Sequence, residues 1–288
     1  MNLASRLASS ESMQIQFRTV DGITIRYAES DGRPDQPILL TNPWPESLYA
    51  FLPMWQSLAT HARLVAIDLP GFGQSERRVD LFSPQAMGEF LIQLIEEWGL
   101  QTPHIVGPDV GAAAALFAAA RRPDKVRSLI IGGGAAAYPL QVGGVLKDFI
   151  EAPDLEAFRA VDFQSTLRQV FDTSYEQYQL PAQAREDYLT SYAGDRFVES
   201  MRYARSYPQE LPILGDLLSA IQTPVQLIYA QRDPLAPPVN GEYLHARLPN
   251  SKLASLDAAH FAWEDAADQY AALISSWVEG GYQRPERE

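Results

Sequence analysis

The stretch Gly107-Pro108-Asp109-Val110-Gly111 decides the fold. It follows the apolar run His104-Ile105-Val106 and opens a segment, residues 110–120, that is almost all alanine. This order predicts a buried strand, a sharp turn and a helix that packs tightly against the sheet. Glycines in such a turn admit a strained backbone and lift the central side chain above the edge of the sheet. We therefore predict that Asp109 is displayed there as a nucleophile.

Strand and helix patterns alternate on both sides of this turn. Asp21-Gly22 is typical of a tight hairpin. Short apolar runs, which suit strands buried on both faces, predict the remaining strands. The predicted strands are residues 13–20, 23–28, 38–41, 64–67, 104–106, 126–131, 225–229 and 252–256. Helices are predicted between Ser83 and Gly99, over 110–120, and from Glu264 onward. The pattern indicates an α/β fold with a mostly parallel central sheet flanked by helices.

One segment interrupts this alternation. Residues 138–212 lack buried-strand runs and have the pattern of several amphipathic helices. We predict a helical cap over 138–212, inserted into a core made of residues 1–137 and 213–288. Insertions of this kind commonly act as lids over a site.

Two further residues complete a chemical constellation with Asp109. Asp233 follows the strand that ends near Tyr229, and His260 follows the last strand. Open α/β sheets bind ligands at the carboxyl ends of their strands. A strand, sharp turn and helix that display a nucleophile are called a nucleophile elbow. The chain order here is nucleophile, acid, histidine, which is the order found with such an elbow. We predict Asp109 as nucleophile, His260 as general base and Asp233 as the acid that orients it.

On these residues the chain resembles the α/β-hydrolase superfamily along nearly its whole length. The segment Asp68–Ser75 resembles the turn after the fourth strand of that family, and Asn42–Ser47 stands where the family has its oxyanion loop, often His-Gly-x-Pro. An Asp in the elbow resembles the epoxide hydrolase and haloalkane dehalogenase branch. The resemblance implies that the backbone N–H groups of Trp44 and Val110 form an oxyanion hole.

A carboxylate nucleophile suits attack on an sp³ carbon, because it needs no activating base and yields an alkyl ester. His260 would then deprotonate a water that hydrolyses this ester, with Asp233 holding the imidazole. The expected enzyme is a hydrolase that acts through a covalent ester on Asp109.

The leaving group separates the two branches. Epoxide hydrolases resemble one another in using tyrosines of the lid as acids, whereas dehalogenases direct N–H donors at the halide, typically a Trp directly after the nucleophile. Here that position is Val110, and the predicted cap contains no Trp. Beyond its first residue, Tyr138, it contains six tyrosines, namely Tyr175, Tyr178, Tyr188, Tyr192, Tyr203 and Tyr207. We therefore favour an epoxide hydrolase that gives a vicinal diol.

Tyr203 is the first choice for the ring-opening acid, and Tyr207 is a second candidate for that role or for substrate contact. The run Met201–Arg205 lies near the position where epoxide hydrolases often have Asn-x-Tyr-Arg, although strict register puts Ala204 at the tyrosine position.

The alternative is a haloalkane dehalogenase. The segment Ser206–Pro212 resembles a lid-exit segment of dehalogenases, and the indole N–H of Trp44 could donate to a halide. An ester or lactone hydrolase and a non-catalytic binding protein on the same fold are more distant alternatives.

Composition narrows the class of partner. The 288 residues include no Cys, which excludes a cysteine nucleophile and a thiolate metal site. A formal net charge of −13 disfavours nucleic acid and anionic membranes. Residues 1–10 lack the apolar run of a signal peptide. We expect a cytoplasmic monomer or homodimer that needs no metal or cofactor and acts on a neutral small molecule and water.

Overall fold

The computed structural model describes residues 13–33 and 35–283, so the expectation for residues 1–10 lies outside the described residues. Its centre is one eight-stranded sheet with the order β1-β2-β4-β3-β5-β6-β7-β8. The strands are β1 Ile15–Val20, β2 Ile23–Glu29, β3 Pro37–Thr41, β4 Arg63–Ile67, β5 His104–Pro108, β6 Ser128–Gly132, β7 Val225–Ala230 and β8 Ser251–Leu256. All eight predicted strands are present, with ends that shift by up to two residues.

The sheet is mostly parallel, as predicted. The strands β1 and β2 form the antiparallel hairpin predicted at Asp21-Gly22, where both turn residues have positive φ, 48° and 78°. β2 pairs antiparallel with β4, and the strands from β4 to β8 run parallel to one another. Because parallel strands point the same way, the loops after β3, β5, β7 and β8 meet at one edge of the sheet.

Helices cover both faces of the sheet. They are α1 Trp55–Ala59, α2 Pro84–Glu97, α3 Val110–Arg121, α4 Gly144–Glu151, α5 Glu156–Arg159, α6 Phe163–Thr173, α7 Ala182–Ser191, α8 Arg196–Arg205, α9 Tyr207–Leu217, α10 Val239–Arg247, α11 Ala262–Asp265 and α12 Ala267–Val278. Short 3₁₀ turns join several of them. The last helix, predicted to run from Glu264, is instead two helices that break at Ala266, whose φ of −120° is not helical.

The alanine-rich helix α3 lies close to α2. A Cβ added at Gly88 of α2 would lie only 2.7 Å from the carbonyl oxygen of Ala114. Small side chains on both helices permit this close packing. The helices α2 and α3 contribute to one hydrophobic core on this face of the sheet, whereas α1 and α12 contribute to a second core on the other face.

Between β6 and β7 the described chain forms the helices α4 to α9 and no strand. We call residues 138–217 the insert. The predicted boundary at residue 212 falls inside α9, which continues to Leu217. A buried ion pair between Arg26 of β2 and Asp187 of α7 ties the insert to the core, with the same guanidinium donating to Asp68 at 3.2 Å.

No helix among the described residues is long and apolar enough to cross a membrane.

Candidate active site

The turn between β5 and α3 is strained at Asp109, which has φ 50° and ψ −115°. A non-glycine residue in such a conformation costs about 1–3 kcal/mol and persists only where its surroundings enforce it. The two flanking glycines are required, because a Cβ on Gly107 would lie 2.9 Å from the Gly111 carbonyl oxygen and one on Gly111 only 2.2 Å from Thr41 Oγ1. The backbone N–H of Asp109 donates to Gly132 O at 2.8 Å. The strained strand–turn–helix predicted from the sequence is present.

The loop after β3 brings a backbone donor to this residue. The N–H of Trp44 donates to Asp109 Oδ2 at 2.8 Å, and the N–H of Val110 also hydrogen-bonds the carboxylate. The two predicted oxyanion-hole donors therefore converge on one side chain. Asn42, at the position of the family's His, holds the loop: its Oδ1 accepts from Leu69 N at 2.7 Å and its Nδ2 donates to Pro43 O at 2.7 Å.

Asp233 and His260 meet at the ends of β7 and β8. The Nδ1 atom of His260 lies 2.8 Å from Oδ2 of Asp233, and both side chains are buried. The other oxygen of Asp233 accepts from the backbone N–H groups of Leu235 and Ala236, at 2.8 and 3.0 Å. These bonds fix the carboxylate, so it orients the imidazole.

Burial controls the charge of the two central groups. Desolvation raises the pKa of Asp109 to about 6, although His260 and the two backbone donors act to lower it. Burial by itself would lower the pKa of His260, but the Asp233 carboxylate and, more weakly, Asp109 raise it above its ordinary value. At neutral pH the site holds a poorly solvated carboxylate beside a histidine that is ready to carry a proton.

Asp109 and His260 both line a cavity of about 310 Å³ between the sheet and the insert. This volume is at the small end of the range for small-molecule sites. Among the described residues that line it, Tyr207 and Thr166 also carry hydroxyl groups, and the Thr166 hydroxyl donates to Asp162 O. All other lining side chains are apolar or aromatic.

Tyr203, the first-choice ring-opening acid, does not line this cavity. It is fully buried and its hydroxyl donates to Val110 O at 2.7 Å. This position does not fit the expected role, because the phenol proton already has a backbone acceptor. Ala204, which strict register placed at the tyrosine position, does line the cavity. The difference is one residue on α8, about 100° of helix rotation.

Of the six tyrosines considered from the sequence, Tyr207 is the one that lines the cavity. Three of the others are hydrogen-bonded elsewhere: Tyr175 and Tyr188 to Glu264, and Tyr192 to Glu46 O. Within the described residues, the Tyr207 hydroxyl has no hydrogen-bond partner. Burial, and then the nearby Asp109 carboxylate, raise the pKa of Tyr207 well above its ordinary value, so the phenol keeps its proton.

The indole of Trp44 is directed away from a leaving group. Its Nε1–H donates to Ser200 Oγ of α8 at 2.8 Å, and its ring stacks on Phe197 with centroids 5.0 Å apart. The expectation that this N–H could bind a halide is therefore not met, because the donor already has a protein acceptor.

A buried carboxyl pair that the sequence did not reveal lies behind His260. The indole of Trp263, which packs edge-on against His260 at 5.4 Å, donates to Glu46 at 2.8 Å. Burial, and then Glu264, raise the pKa of Glu46 well above its ordinary value, and burial raises that of Glu264 to about 7. No local signal predicts this pairing, because Glu46 and Glu264 are far apart in the chain.

A mostly parallel sheet with an elbow after β5, an acid after β7 and a histidine after β8 is the arrangement of an α/β hydrolase. Residues 36–267 match the family model described as alpha/beta hydrolase fold, and the chain belongs to this family. The predicted fold and the general class of hydrolase are thus confirmed.

Known proteins with related chains differ in activity. A pimeloyl-[acyl-carrier protein] methyl ester esterase of Neisseria meningitidis is 30% identical over 272 residues, which is 89% of this chain and 98% of that protein. Haloalkane dehalogenase DbeA of Bradyrhizobium elkani superposes with a TM-score of 0.78 at 22% identity, covering 94% of this chain and 99% of that one. Epoxide hydrolase CorEH superposes with a TM-score of 0.76 at 17% identity, covering 95% and 100%. The two structural likenesses show the shared fold.

Proposed function

We propose that this protein hydrolyses a neutral epoxide to a vicinal diol through a covalent ester on Asp109. The observation that carries the choice of epoxide is the unpaired hydroxyl of Tyr207 in the cavity that Asp109 and His260 also line. A protonated phenol is the group that an opening epoxide ring needs, since the oxygen that leaves the attacked carbon stays on the product as an alkoxide.

The residue at the elbow argues against an ordinary esterase, although one relative is named as a methyl ester esterase. If the Asp109 carboxylate attacked an ester carbonyl, it would have to expel an alkoxide and form a mixed anhydride, which is unfavourable. Attack on an sp³ carbon gives a stable alkyl ester instead. An ester or lactone hydrolase therefore remains the more distant alternative.

In the first step, one oxygen of Asp109 forms a bond to an epoxide carbon and the ring C–O bond breaks. The electron pair moves to the ring oxygen, which takes the proton of Tyr207. Trp44 N–H holds Oδ2 of Asp109, which leaves the other oxygen to attack. The hydrogen bonds of that loop thus fix the direction of the carboxylate.

In the second step, His260 takes a proton from water and the hydroxide attacks the carbonyl carbon of the Asp109 ester. The N–H groups of Trp44 and Val110 stabilise the oxyanion, and Asp233 stabilises the imidazolium. The intermediate expels the ester oxygen, which takes the proton of the newly added hydroxyl and completes the diol. Asp109 is left as a carboxylate, and the proton on His260 returns to the Tyr207 oxygen. The net reaction is epoxide plus water to diol.

The haloalkane alternative has a weaker basis in this site. The cavity is apolar enough for an alkyl halide, but Val110 offers no side-chain donor and the Trp44 indole is bonded to Ser200. A departing halide would find only the Tyr207 hydroxyl. We propose further that the substrate is a neutral small molecule used with water alone, and that the protein acts in the cytoplasm as a monomer or homodimer.

The central test is His260→Gln incubated with terminal epoxides, alkyl bromides and methyl esters, followed by mass spectrometry of the Asp109 peptide. Epoxide chemistry adds the full mass of the epoxide, whereas dehalogenation adds the alkyl group and releases bromide. His245→Gln, a substitution in α10, is the matched control and should retain turnover without an adduct. Alcohol release from a methyl ester without any adduct, together with full activity of Asp109→Ala, would overturn the proposal.

A further inference from the structure

Five of the aromatic rings that line the cavity come from five different elements of the fold. Trp44 lies in the loop after β3, Phe149 in α4, Phe158 in α5, Phe163 in α6 and Phe197 in α8. We call this set the aromatic wall. Five separately placed elements therefore each contribute one ring to the same void.

The rings of the aromatic wall are in contact with one another in edge-on, tilted and stacked arrangements. Phe149 meets Phe158 perpendicularly at 5.3 Å and Trp44 at 6.1 Å, and Phe163 lies 4.6 Å from Phe197. Ser200 holds the Trp44 indole in its stack on Phe197. The wall thus presents both ring faces and ring edges in positions set by neighbouring rings.

We propose that the aromatic wall binds the aryl group of an epoxide whose ring carbon carries that group directly, and that Asp109 attacks this benzylic carbon. The inference rests on the proposed function. An aryl group would extend the existing edge-to-face contacts, which stabilise aromatic pairs beyond the burial of their area. A saturated ring of similar size would be buried equally well but would gain none of these contacts.

The distribution of polar groups supports a substrate with one reactive end. The polar side chains free to meet it are Asp109, His260 and Tyr207, since Thr166 is bonded to its own helix. A substrate with a second polar group would bury it without a partner, which costs free energy. A substrate that consists of one epoxide ring on an aromatic group has no second polar group to bury without a partner.

The chemistry of the ring opening fits the benzylic position. One phenol, Tyr207, assists the departing oxygen, so the attacked carbon carries part of the developing positive charge. An aryl substituent delocalises this charge, and electron-rich ring faces nearby stabilise it further. The bond from Asp109 oxygen forms at the benzylic carbon, the benzylic C–O bond breaks, and the ring oxygen takes the Tyr207 proton.

The test compares styrene oxide with cyclohexyloxirane, which has a saturated ring of similar size. We expect kcat/KM to be about tenfold or more higher for styrene oxide, because two or three edge-to-face contacts add to the delocalisation of charge at the benzylic carbon. Phe163→Leu and Phe149→Leu should each reduce this ratio to about a third. Phe171→Leu, also in α6 but outside the cavity lining, should leave the ratio unchanged. In H₂¹⁸O over many turnovers, the label should appear at the benzylic carbon.

Equal kcat/KM values for the two epoxides, or label at the terminal carbon, would overturn this inference. The proposed function would still be supported if both epoxides formed adducts on His260→Gln. A binding measurement tests the aryl site independently of the proposed function. Asp109→Asn should bind phenylethanediol about tenfold more tightly than cyclohexylethanediol. This preference should hold even if no epoxide is turned over, and its absence would count against the aromatic wall as an aryl site.

Discussion

The indole Nε1 of Trp44 donates to the hydroxyl oxygen of Ser200 at 2.8 Å, across 156 residues of chain. Trp44 thereby uses both of its N–H groups on the protein: the backbone N–H on Asp109 and the ring N–H on α8. This relationship removes the halide donor that a dehalogenase mechanism requires. It also fixes the ring of Trp44 at the boundary between the core and the insert.

Loss of the Ser200 hydroxyl should destabilise the protein. In Ser200→Ala the indole N–H of Trp44 is left without its acceptor, which costs about 1–2 kcal/mol of unfolding free energy. Ser191→Ala is a matched control in α7, because the buried Ser191 hydroxyl has no hydrogen-bond partner among the described residues. That control should be neutral or slightly stabilising. Denaturant unfolding measures both, and equal losses would contradict the assigned role of Ser200.

Removal of the Tyr207 hydroxyl should slow the opening of an epoxide. In Tyr207→Phe the ring oxygen lacks a proton donor, so we expect kcat/KM to fall by about 10²–10⁴. Tyr203→Phe should leave turnover close to that of the wild type and cost about 1 kcal/mol of stability, because it loses only its bond to Val110 O. Steady-state kinetics and thermal unfolding of the pair distinguish the roles. The reverse pattern would restore Tyr203 as the acid.

The rate of ester formation should depend on the protonation of Asp109. Burial raises the pKa of this carboxyl to about 6, and only the ionised form attacks. The single-turnover rate should therefore decrease tenfold for each pH unit below about 6 and level off above it. Rapid-quench measurements with the wild-type protein between pH 4.5 and about 8 test this. A rate that stays constant down to pH 5 would show that the attacking group ionises at a lower pH.

Removing the negative charge of Asp109 should increase the free energy of unfolding at neutral pH. Because the pKa is raised from 3.8 to about 6 on folding, ionisation costs the folded state about 3 kcal/mol above pH 6 and nothing below about pH 4. Asp109→Asn removes this cost, and Asn tolerates positive φ. The gain should thus grow as pH rises from 4 to 6. Denaturant unfolding of the wild type and of Asp109→Asn across this pH range measures the gain, and a stability difference that stays constant with pH would contradict burial of the charge as its cause.

The secondary structure of the core was predictable because its signals are local. The Asp21-Gly22 turn, the apolar runs of the parallel strands and the Ser83 cap, whose Oγ accepts from Ala86 N, all act within a few residues. The break at Ala266 was not predictable, because the apolar stripe of the last helix continues on either side of it. The end of α9 beyond residue 212 was also missed, since no local signal separates the insert from the core there.

The sequence by itself determined the strained elbow at Asp109 and the order of Asp233 and His260 after it, because turn chemistry and strand succession are properties of short segments. Only the tertiary structure decided which phenol meets the cavity. Tyr203 lies near the end of α8 and Tyr207 at the start of α9, and the packing of these helices turns the first toward Val110 of α3 and the second toward the void. The bond from Trp44 to Ser200 and the aromatic wall likewise depend on contacts between distant elements, which no periodicity along one element encodes.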